Sequence, residues 1–242
     1  MKKLLSLNLS LLAVGAVALT LSALPVLGGT IATPFIAGDF QGWNPSGNAM
    51  TSLGGGLWSS TFTGLTPGSR HEWKVTDGTW GTTVPGANSW LFANASGNIT
   101  ITYDGNTYAD GWSSSTDRLG LSTDPGTWTA VGDWQGWNNA NPSTAMSALG
   151  GGIYQLSVTL APGTYQGKAV VSGSWDSISL DTRSINTANW GFTTDAINNT
   201  VIFRVDSLKG ISQVVVTAVP EPATFALAGC GLAGLLLFRR RQ

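Results

Sequence analysis

The stretch Ile36-Ala-Gly-Asp-Phe-Gln-Gly-Trp-Asn44 decides the fold, because it returns later in the chain as Ala130-Val-Gly-Asp-Trp-Gln-Gly-Trp-Asn138. Shorter motifs follow each copy in the same order and at similar spacing. They are Met50-Thr-Ser-Leu-Gly-Gly-Gly56 with Met146-Ser-Ala-Leu-Gly-Gly-Gly152, Pro67-Gly68 with Pro162-Gly163, and Asp77-Gly-Thr-Trp80 with Ser172-Gly-Ser-Trp175. An ordered series of shared motifs indicates a tandem repeat. The sequence therefore predicts two copies of one structural unit.

Each unit has the pattern of short strands joined by tight turns. The run Tyr154-Gln-Leu-Ser-Val-Thr-Leu160 alternates between apolar and polar residues, and Pro-Gly or Asp-Gly pairs punctuate such runs. No stretch between the two ends shows sustained helical periodicity. A unit of about 85–95 residues has the size of one Ig-like sandwich. We therefore predict an all-β chain with two tandem Ig-like β-sandwich modules at 33–108 and 126–218, joined by a linker at 109–125.

The composition is that of a folded β protein without a nucleic-acid partner. Of the 242 residues, 42% are hydrophobic, 10% are charged and 11 are Trp, which suits a packed core better than a disordered chain. Five of the twelve basic residues lie at the two ends, which leaves seven between them, where twelve of the thirteen acidic residues also lie. Phosphate binding needs a basic surface, which this balance disfavours. Cys230, the single Cys, lies in the C-terminal apolar run, so the units have no disulfide or thiol chemistry.

The N-terminal segment, residues 1–32, has the layout of a secretory signal peptide. Lys2 and Lys3 precede a nearly unbroken apolar run, and the small residues Gly28, Gly29 and Ala32 offer places where signal peptidase could cut. The apolar run is long for a signal, so the alternative is a retained N-terminal anchor helix.

The C-terminal segment, residues 219–242, combines a short motif, an apolar run and a basic end. We predict a transmembrane helix at 223–238, although sixteen helical residues span roughly 24 Å, which is short for a bilayer of about 30 Å. Basic residues at the end favour a cytoplasmic C-terminus, with the two units on the other side. The motif is Pro220, Glu221 and Pro222, and the basic end is Arg239, Arg240 and Arg241.

This tail resembles the PEP-CTERM sorting signal of Gram-negative bacteria and cyanobacteria, because all three of its parts are present. In that family an exosortase removes the tail, and the members are tied to exopolysaccharide and extracellular matrix. The resemblance implies export, processing by signal peptidase and exosortase, and transient anchoring in the inner membrane. It implies a final place in the cell envelope, at the outer surface or in the matrix. The alternative is a plain C-terminal anchor.

The repeated motifs resemble the early-set, Ig-like glycogen- and starch-binding modules of AMP-activated kinase β subunits and bacterial pullulanases, over residues 34–108 and 128–217. In the glycogen-binding members, two Trp form a sugar platform, and a Lys and an Asn add polar contacts. The second unit departs from the pattern with Ser172-Gly173 in place of Asp77-Gly78. The resemblance implies a carbohydrate site of Trp43, Lys74, Trp80 and Asn98 in the first unit, and of Trp137, Lys168, Trp175 and Asn199 in the second.

The chemistry of a sugar ring fits such a platform. Its face of C–H groups packs on a flat Trp ring, and this stacking removes apolar area from water at about 25 cal/mol per Å². Large aromatic residues also dominate small β cores, so the alternative for each Trp is a core position. We expect Trp58, Trp90, Trp128 and Trp190 in the core and Trp80 and Trp175 exposed, while Trp43 and Trp137 could be either.

Catalysis and metal binding find little support in the residue pattern, and we predict no enzyme and no cofactor. His71 is the single His, and no nucleophile-elbow motif occurs between the ends. Asp39 and Asp133 recur, as a catalytic carboxylate might, but an aspartate in such a turn more often caps backbone N–H groups. Asp104, Asn106 and Asp110 give a weak calcium pattern, and an Asx turn is the alternative.

The sequence thus predicts an exported surface or matrix protein whose units bind an α-glucan or an exopolysaccharide. A structural matrix protein that only self-associates is the first alternative. A glycoside-active enzyme is the second, and it would need two facing carboxylates, one with a raised pKa.

Overall fold

The structure is a computed structural model that describes residues 30–218 except 125, 181 and 186. The predicted sorting tail with its helix at 223–238, and nearly all of the predicted signal peptide, lie outside the described residues. Within the described part of the chain, no helix is long and apolar enough to span a membrane. The helical elements found there are three short 3-10 turns, at Asp39–Gln41, Asp133–Gln135 and Pro142–Thr144.

The described residues form short strands throughout. The first repeat contains β1 (Phe35–Gly38), β2 (Asn48–Ala49), β3 (Thr51–Gly54), β4 (Leu57–Phe62), β5 (Arg70–Thr76), β6 (Thr83–Phe92), β7 (Ile99–Asp104) and β8 (Arg118–Leu121). The second contains β9 (Trp128–Gly132), β10 (Ser147–Gly150), β11 (Ile153–Thr159), β12 (Gly163–Val171), β13 (Ser177–Ser179), β14 (Thr182–Ser184), β15 (Trp190–Thr194), β16 (Thr200–Asp206) and β17 (Ile211–Thr217).

Alternating side chains place one face of each central strand in a core. In β7, Ile99, Ile101 and Tyr103 are buried while the residues between them are half-buried. The same alternation in β16 buries Val201, Phe203 and Val205. This period of two is what a strand with one core-facing side requires.

The strands pair into four antiparallel sheets, two from each repeat. Sheet A has the order β2-β1-β5-β6 and sheet B the order β3-β4-β7-β8. Sheet C has the order β14-β13-β12-β15, with β9 also paired to β12, and sheet D has the order β10-β11-β16-β17. Sheets A and B enclose a first hydrophobic core, and sheets C and D enclose a second.

The four sheets contact one another in a closed ring. Besides the two cores, β6 of sheet A packs on β14 of sheet C. Between sheets B and D, the Leu121 N–H donates to the Leu208 carbonyl at 2.9 Å, and a Cβ on Gly120 would strike that same carbonyl. The all-β prediction is confirmed, but the prediction of two tandem Ig-like modules is wrong, since the sheets form one four-membered ring.

The physical reason is that core residues cross from one repeat to the other. Trp90 in β6 is fully buried and belongs to the second core, where its ring centre lies 5.9 Å from that of Trp128. Its indole N–H donates to the Ser177 carbonyl. Residues 109–125, expected to be a linker, instead supply β8, which pairs with β7 and completes sheet B.

Candidate functional site

The Gly-Asp-aromatic-Gln-Gly-Trp-Asn turn is built in the same way in both repeats. The Trp43 N–H donates to the Gly38 carbonyl at 2.9 Å, and the Trp137 N–H donates to the Gly132 carbonyl at 2.9 Å. In each turn the Gln side chain, Gln41 or Gln135, donates to two backbone carbonyls and accepts the N–H of the final Asn. The turn is therefore held by one backbone bond from the Trp N–H and by the Gln side chain. Both repeats make the same bonds because they share the motif.

The recurring aspartates are backbone caps. One carboxylate oxygen of Asp39 accepts the Glu72 N–H at 3.1 Å, and one of Asp133 accepts the Gln166 N–H at 3.1 Å. Each bond fastens the turn to the neighbouring strand, β5 or β12. The alternative that the sequence offered for Asp39 and Asp133, capping rather than catalysis, agrees with this geometry.

The aromatic residue of each turn closes one end of a core. Phe40 packs on Phe62 with ring centres 4.6 Å apart, and Trp134 stacks on Phe203 at 5.5 Å. Both rings cross directly over the glycine that opens the turn. A Cβ on Gly38 would lie 2.6 Å from the Phe40 ring, so this position has no room for a side chain.

Trp43 and Trp137 adopt a left-handed backbone conformation. Their φ angles are 59° and 57°, a region that residues other than Gly enter at a cost of about 1 kcal/mol or more. Both side chains are half-buried. A glycine would satisfy the backbone better, so the same unfavourable choice in both repeats suggests that the indole ring itself is needed.

Trp80 and Trp175 lie on exposed loops that contact these turns. The two side chains are 52% and 50% exposed, as the sequence led us to expect. In the first repeat the Thr76 hydroxyl donates to the Pro45 carbonyl at 2.6 Å. In the second the Gly173 N–H donates to the Asn139 carbonyl at 2.8 Å. Pro45 and Asn139 each lie two residues after the turn Trp, so the same carbonyl position is bonded in both repeats, by the end of β5 in the first and by the Trp175 loop in the second.

The two loops reach similar conformations through different residues. Asp77 accepts the backbone N–H and the hydroxyl of Thr79 at 2.9 and 2.6 Å, and these bonds lower the pKa of its carboxyl group. In the second repeat the Ser174 hydroxyl accepts the Asp176 N–H, and the Ser174 carbonyl accepts the Asn139 side-chain amide. The replacement of Asp77-Gly78 by Ser172-Gly173 therefore changes the bonds of the loop and leaves its Trp exposed.

The two strand lysines lie at equivalent positions in their sheets. Lys74 in β5 is opposite Ala37 in β1, and Lys168 in β12 is opposite Val131 in β9. The Lys74 ammonium donates to the Gly86 carbonyl, and that of Lys168 reaches the Thr187 carbonyl at 3.4 Å. Burial lowers the pKa of Lys168.

Two protein-family models match parts of the chain. Residues 126–210 match the pullulanase X25 domain. Residues 218–241 match the PEP-CTERM protein-sorting motif. The second repeat is thus similar to a carbohydrate-binding type of domain, and the C-terminal segment is similar to a sorting signal.

Two solved structures are also similar to the chain. SusF from Bacteroides thetaiotaomicron is 18% identical with a TM-score of 0.33, and the match covers 80% of this chain and 50% of SusF. The pullulanase from Bacillus acidopullulyticus is 14% identical with a TM-score of 0.27, and the match covers 75% of this chain and 28% of the pullulanase. Among curated proteins, none matches the sequence.

The predicted asparagines are not brought together with the exposed Trp. In the first repeat, Asn98 accepts the Asn94 N–H in the turn after β6, at the opposite end of β5 from Trp80. A strand of seven residues is about 20 Å long, which separates the two. In the X25-like repeat, the Asn199 carbonyl accepts the Leu160 N–H, again at the far end of the sheet from Trp175, and its side-chain oxygen is buried without a partner.

Two other asparagines lie nearer to the lysines. Asn88 in β6 donates to a carboxylate oxygen of Glu72 at 2.8 Å, and Asn189 donates to the side-chain oxygen of Gln166 at 3.3 Å. Glu72 and Gln166 precede Lys74 and Lys168 by two residues, so they share a sheet face with them. The recurrence of Asn before Trp90 and Trp190 was the sequence signal for this pair.

The single His belongs to a line of three polar side chains. His71 Nδ1 is 2.7 Å from a carboxylate oxygen of Asp39, and its Nε2 is 2.7 Å from the Ser69 hydroxyl. Ser69 also donates to the Thr66 carbonyl at 2.6 Å, which competes for its one proton. The X25-like repeat keeps the same aspartate cap while Tyr165 stands in place of His71. The aspartate therefore caps the backbone N–H of the neighbouring strand whether or not a His is present.

In the structure, the acidic residues of the possible calcium pattern, Asp104 and Asp110, accept hydrogen bonds from neighbouring residues. Asp104 accepts the Asn106 N–H at 3.0 Å and the Tyr108 hydroxyl at 2.7 Å, while Asp110 binds both terminal nitrogens of Arg118. Over residues 30–218, apart from the three positions left out, no group of His, Cys, Asp and Glu is arranged to hold a metal ion. Asp104 thus forms the Asx turn that was the alternative.

The expected core positions are largely occupied as the sequence predicts. Trp90, Trp128 and Trp190 are buried, and Trp58 is half-buried against the first core. Trp73 in β5 is also fully buried, which the sequence analysis did not anticipate. Its signal was the alternation of β5, in which Trp73 and Val75 face inward while Glu72 and Lys74 face outward.

Proposed function

We propose that the chain is an exported protein of the cell surface or extracellular matrix whose two repeats each bind an α-glucan. The observation that carries this proposal is the paired exposure of Trp80 and Trp175, at 52% and 50%, on loops bonded to the turns of Trp43 and Trp137. Processing by signal peptidase and exosortase, and a transient membrane anchor before processing, belong to the same proposal. The PEP-CTERM match supports it.

In this proposal the Trp80 and Trp175 rings form the apolar platforms for sugar faces. Stacking of this kind needs a ring that is open on one side and held in place on the other, and the loop bonds provide the second condition. The left-handed conformation of Trp43 and Trp137 supports a second contact in each repeat.

Polar contacts to the sugar come from the sheet face that carries Lys74 and Lys168. Asn88 and Asn189 lie on this face through their bonds to Glu72 and Gln166. They are better placed in this proposal than Asn98 and Asn199, which the family resemblance implied. Asn98 fits only as a contact for a glucan that runs the length of β5.

A structural, self-associating matrix protein remains the second candidate, and one observation favours it. Leu53 and Leu149 occupy the same position in the β3–β4 and β10–β11 hairpins, and each is 59% exposed. Apolar residues that recur at hairpin tips can pack against other copies of the chain. The two candidates differ in which exposed residues they need.

Affinity electrophoresis of residues 30–218 against glycogen, starch, cellulose and xylan tests the proposal. We expect retardation by glycogen and starch that is lost in the double variant Trp80→Ala with Trp175→Ala. The matched control is Leu53→Ala with Leu149→Ala, which removes exposed apolar side chains from the same two repeats and should still bind. The structural candidate is correct if two results are found together. No glycan retards the folded wild type or either folded variant, and the wild type self-associates while the leucine variant does not.

A further inference from the structure

The first described residues, Thr30 to Pro34, are part of the first repeat. Ile31 is 4% exposed and belongs to the first core. Its backbone N–H donates to the Tyr103 hydroxyl at 3.1 Å, and the Pro34 carbonyl accepts the Met50 N–H at 2.9 Å. A chain that began after Ala32 would lack both Thr30 and Ile31 and would leave a core position empty.

Asp117 holds the start of this segment. Its two carboxylate oxygens accept the Thr30 backbone N–H at 2.8 Å and the Thr30 hydroxyl at 2.5 Å. The Tyr103 hydroxyl donates to the same carboxylate. Asp117 adopts a left-handed backbone with φ of 53°, a conformation that Asp enters more readily than most residues other than Gly. Through its bonds to Thr30 and Tyr103, the Asp117 carboxylate links the start of the described chain to β7.

The carboxylate of Asp117 has no basic partner among the described residues. The neighbouring Arg118 is bound to Asp110 through two bonds and to the Ser114 carbonyl through a third. The nitrogen of Thr30 is thus the group beside Asp117 that could carry a positive charge, if it were the first residue of the chain.

We propose that signal peptidase cuts after Gly29, so that Thr30 becomes the first residue and its new α-ammonium group pairs with Asp117. Gly29 supplies the small residue that the peptidase needs before the cut, as Ala32 does. The structure favours Gly29, since a cut after Ala32 would remove the core side chain of Ile31. Cleavage therefore creates the charge that completes the site around Asp117.

N-terminal sequencing of the exported protein tests the position of the cut. The full chain, expressed with its own N-terminal segment in a Gram-negative host, should yield a product that begins at Thr30. A product that begins at Gly29 or Thr33, or an uncleaved chain, would overturn the proposal. Gly28→Val with Gly29→Val should accumulate as the uncleaved precursor, and the matched control Ala32→Val should be processed like the wild type. The reverse pattern would place the cut after Ala32.

Thermal unfolding of the processed protein tests the ion pair. An α-amino group with a pKa of about 7.7–8.0 in the unfolded chain has a higher pKa beside a carboxylate, so its stabilisation is present below this range and lost as pH rises. Tyr103, which also faces Asp117, has a pKa raised by burial and stays neutral. Asp117→Asn should therefore lower Tm by several degrees at pH 6.5 and by much less at about pH 9.5. A difference that does not change with pH would rule out the ion pair.

Discussion

Arg70 of the first repeat and Asp176 of the second form an ion pair with two bonds, in which Nε and Nη2 lie 2.8 and 2.6 Å from the two carboxylate oxygens. Asp176 follows Trp175 directly in the chain. The pair therefore fixes the proposed sugar platform of one repeat to a strand of the other. Because its bonds run in parallel, it constrains orientation as well as distance.

Loss of this ion pair should weaken both stability and the second platform. The Asp176 side chain is 6% exposed and that of Arg70 is 36% exposed, so the pair lies between a surface and a buried bridge. We expect Arg70→Ala to lower the free energy of unfolding by about 1–2 kcal/mol in urea titrations. Arg70→Ala should also lower glucan affinity. The loss should be larger in a Trp80→Ala background than in the wild type, because there we expect only the second repeat to bind.

The control for this prediction is Arg204→Ala. Arg204 donates to Gln155 within sheet D and pairs with no carboxylate among the described residues, so its removal should cost less. Equal losses from the two substitutions would show that the Arg70–Asp176 pair has no special effect.

Glu72 should make the fold sensitive to acid. The Asn88 amide and the Arg70 guanidinium hold the pKa of this carboxyl below its usual range. A lowered folded pKa gives stabilisation that is present above the unfolded value of about 4.3 and lost as pH falls through the folded value. Glu72→Gln should therefore be less stable than wild type at pH 7, and the two should converge below pH 4. Urea midpoints measured from pH 7 to pH 3 check this, and parallel curves would contradict it.

Trp90→Ala should unfold both repeats together. Trp90 is fully buried in the second core although it belongs to a strand of the first repeat. Truncation of a buried Trp costs about 3–5 kcal/mol. We expect a large loss of stability with a single unfolding transition in calorimetry. Trp80→Ala, at an exposed position, should change stability by less than about 0.5 kcal/mol. Two resolved transitions would mean that the repeats fold independently.

The left-handed backbone of Trp43 can be tested with two substitutions at one site. Trp43→Gly and Trp43→Ala remove the same ring contacts, but Gly adopts the observed φ of 59° without strain. The Gly variant should be more stable than the Ala variant by about 1 kcal/mol, and both should lose glucan affinity. If both variants bind like the wild type, Trp43 is not part of the site.

The sequence predicted the local structure of the candidate site, but it did not predict how the two repeats pack together. The repeat, the Gly-Asp-aromatic turns and the exposure of Trp80 and Trp175 all follow from short-range patterns, which depend on residues close in the chain. The contact between the repeats does not, because the core that Trp90 enters depends on how the sheets of the two repeats pack together. Periodicity records that a side chain faces inward, but it does not record into which core.

The asparagines illustrate the same limit. Asn98 and Asn199 were assigned from their order in the family motif, and order along the chain says nothing about which end of a strand a residue occupies. Asn88 reaches Glu72 because of the register of β6 against β5, and Asn189 reaches Gln166 from the residue just before β15. Register is fixed by pairing rather than by motif order. A bulge in the pairing of β5 and β6, between Trp73 and Val75, further obscured the register in the sequence.

The burial of Trp90 across the boundary also limits how this protein can be recombined. A β-sandwich with a core of its own can be moved between proteins as a cassette, since its boundaries cut few contacts. Here a cut at residue 122 would strip the second core of its largest shared ring and leave an indole exposed on the first fragment. Transfer of the proposed glucan site to another protein therefore requires the whole pair of repeats, or grafting of the Trp loops alone.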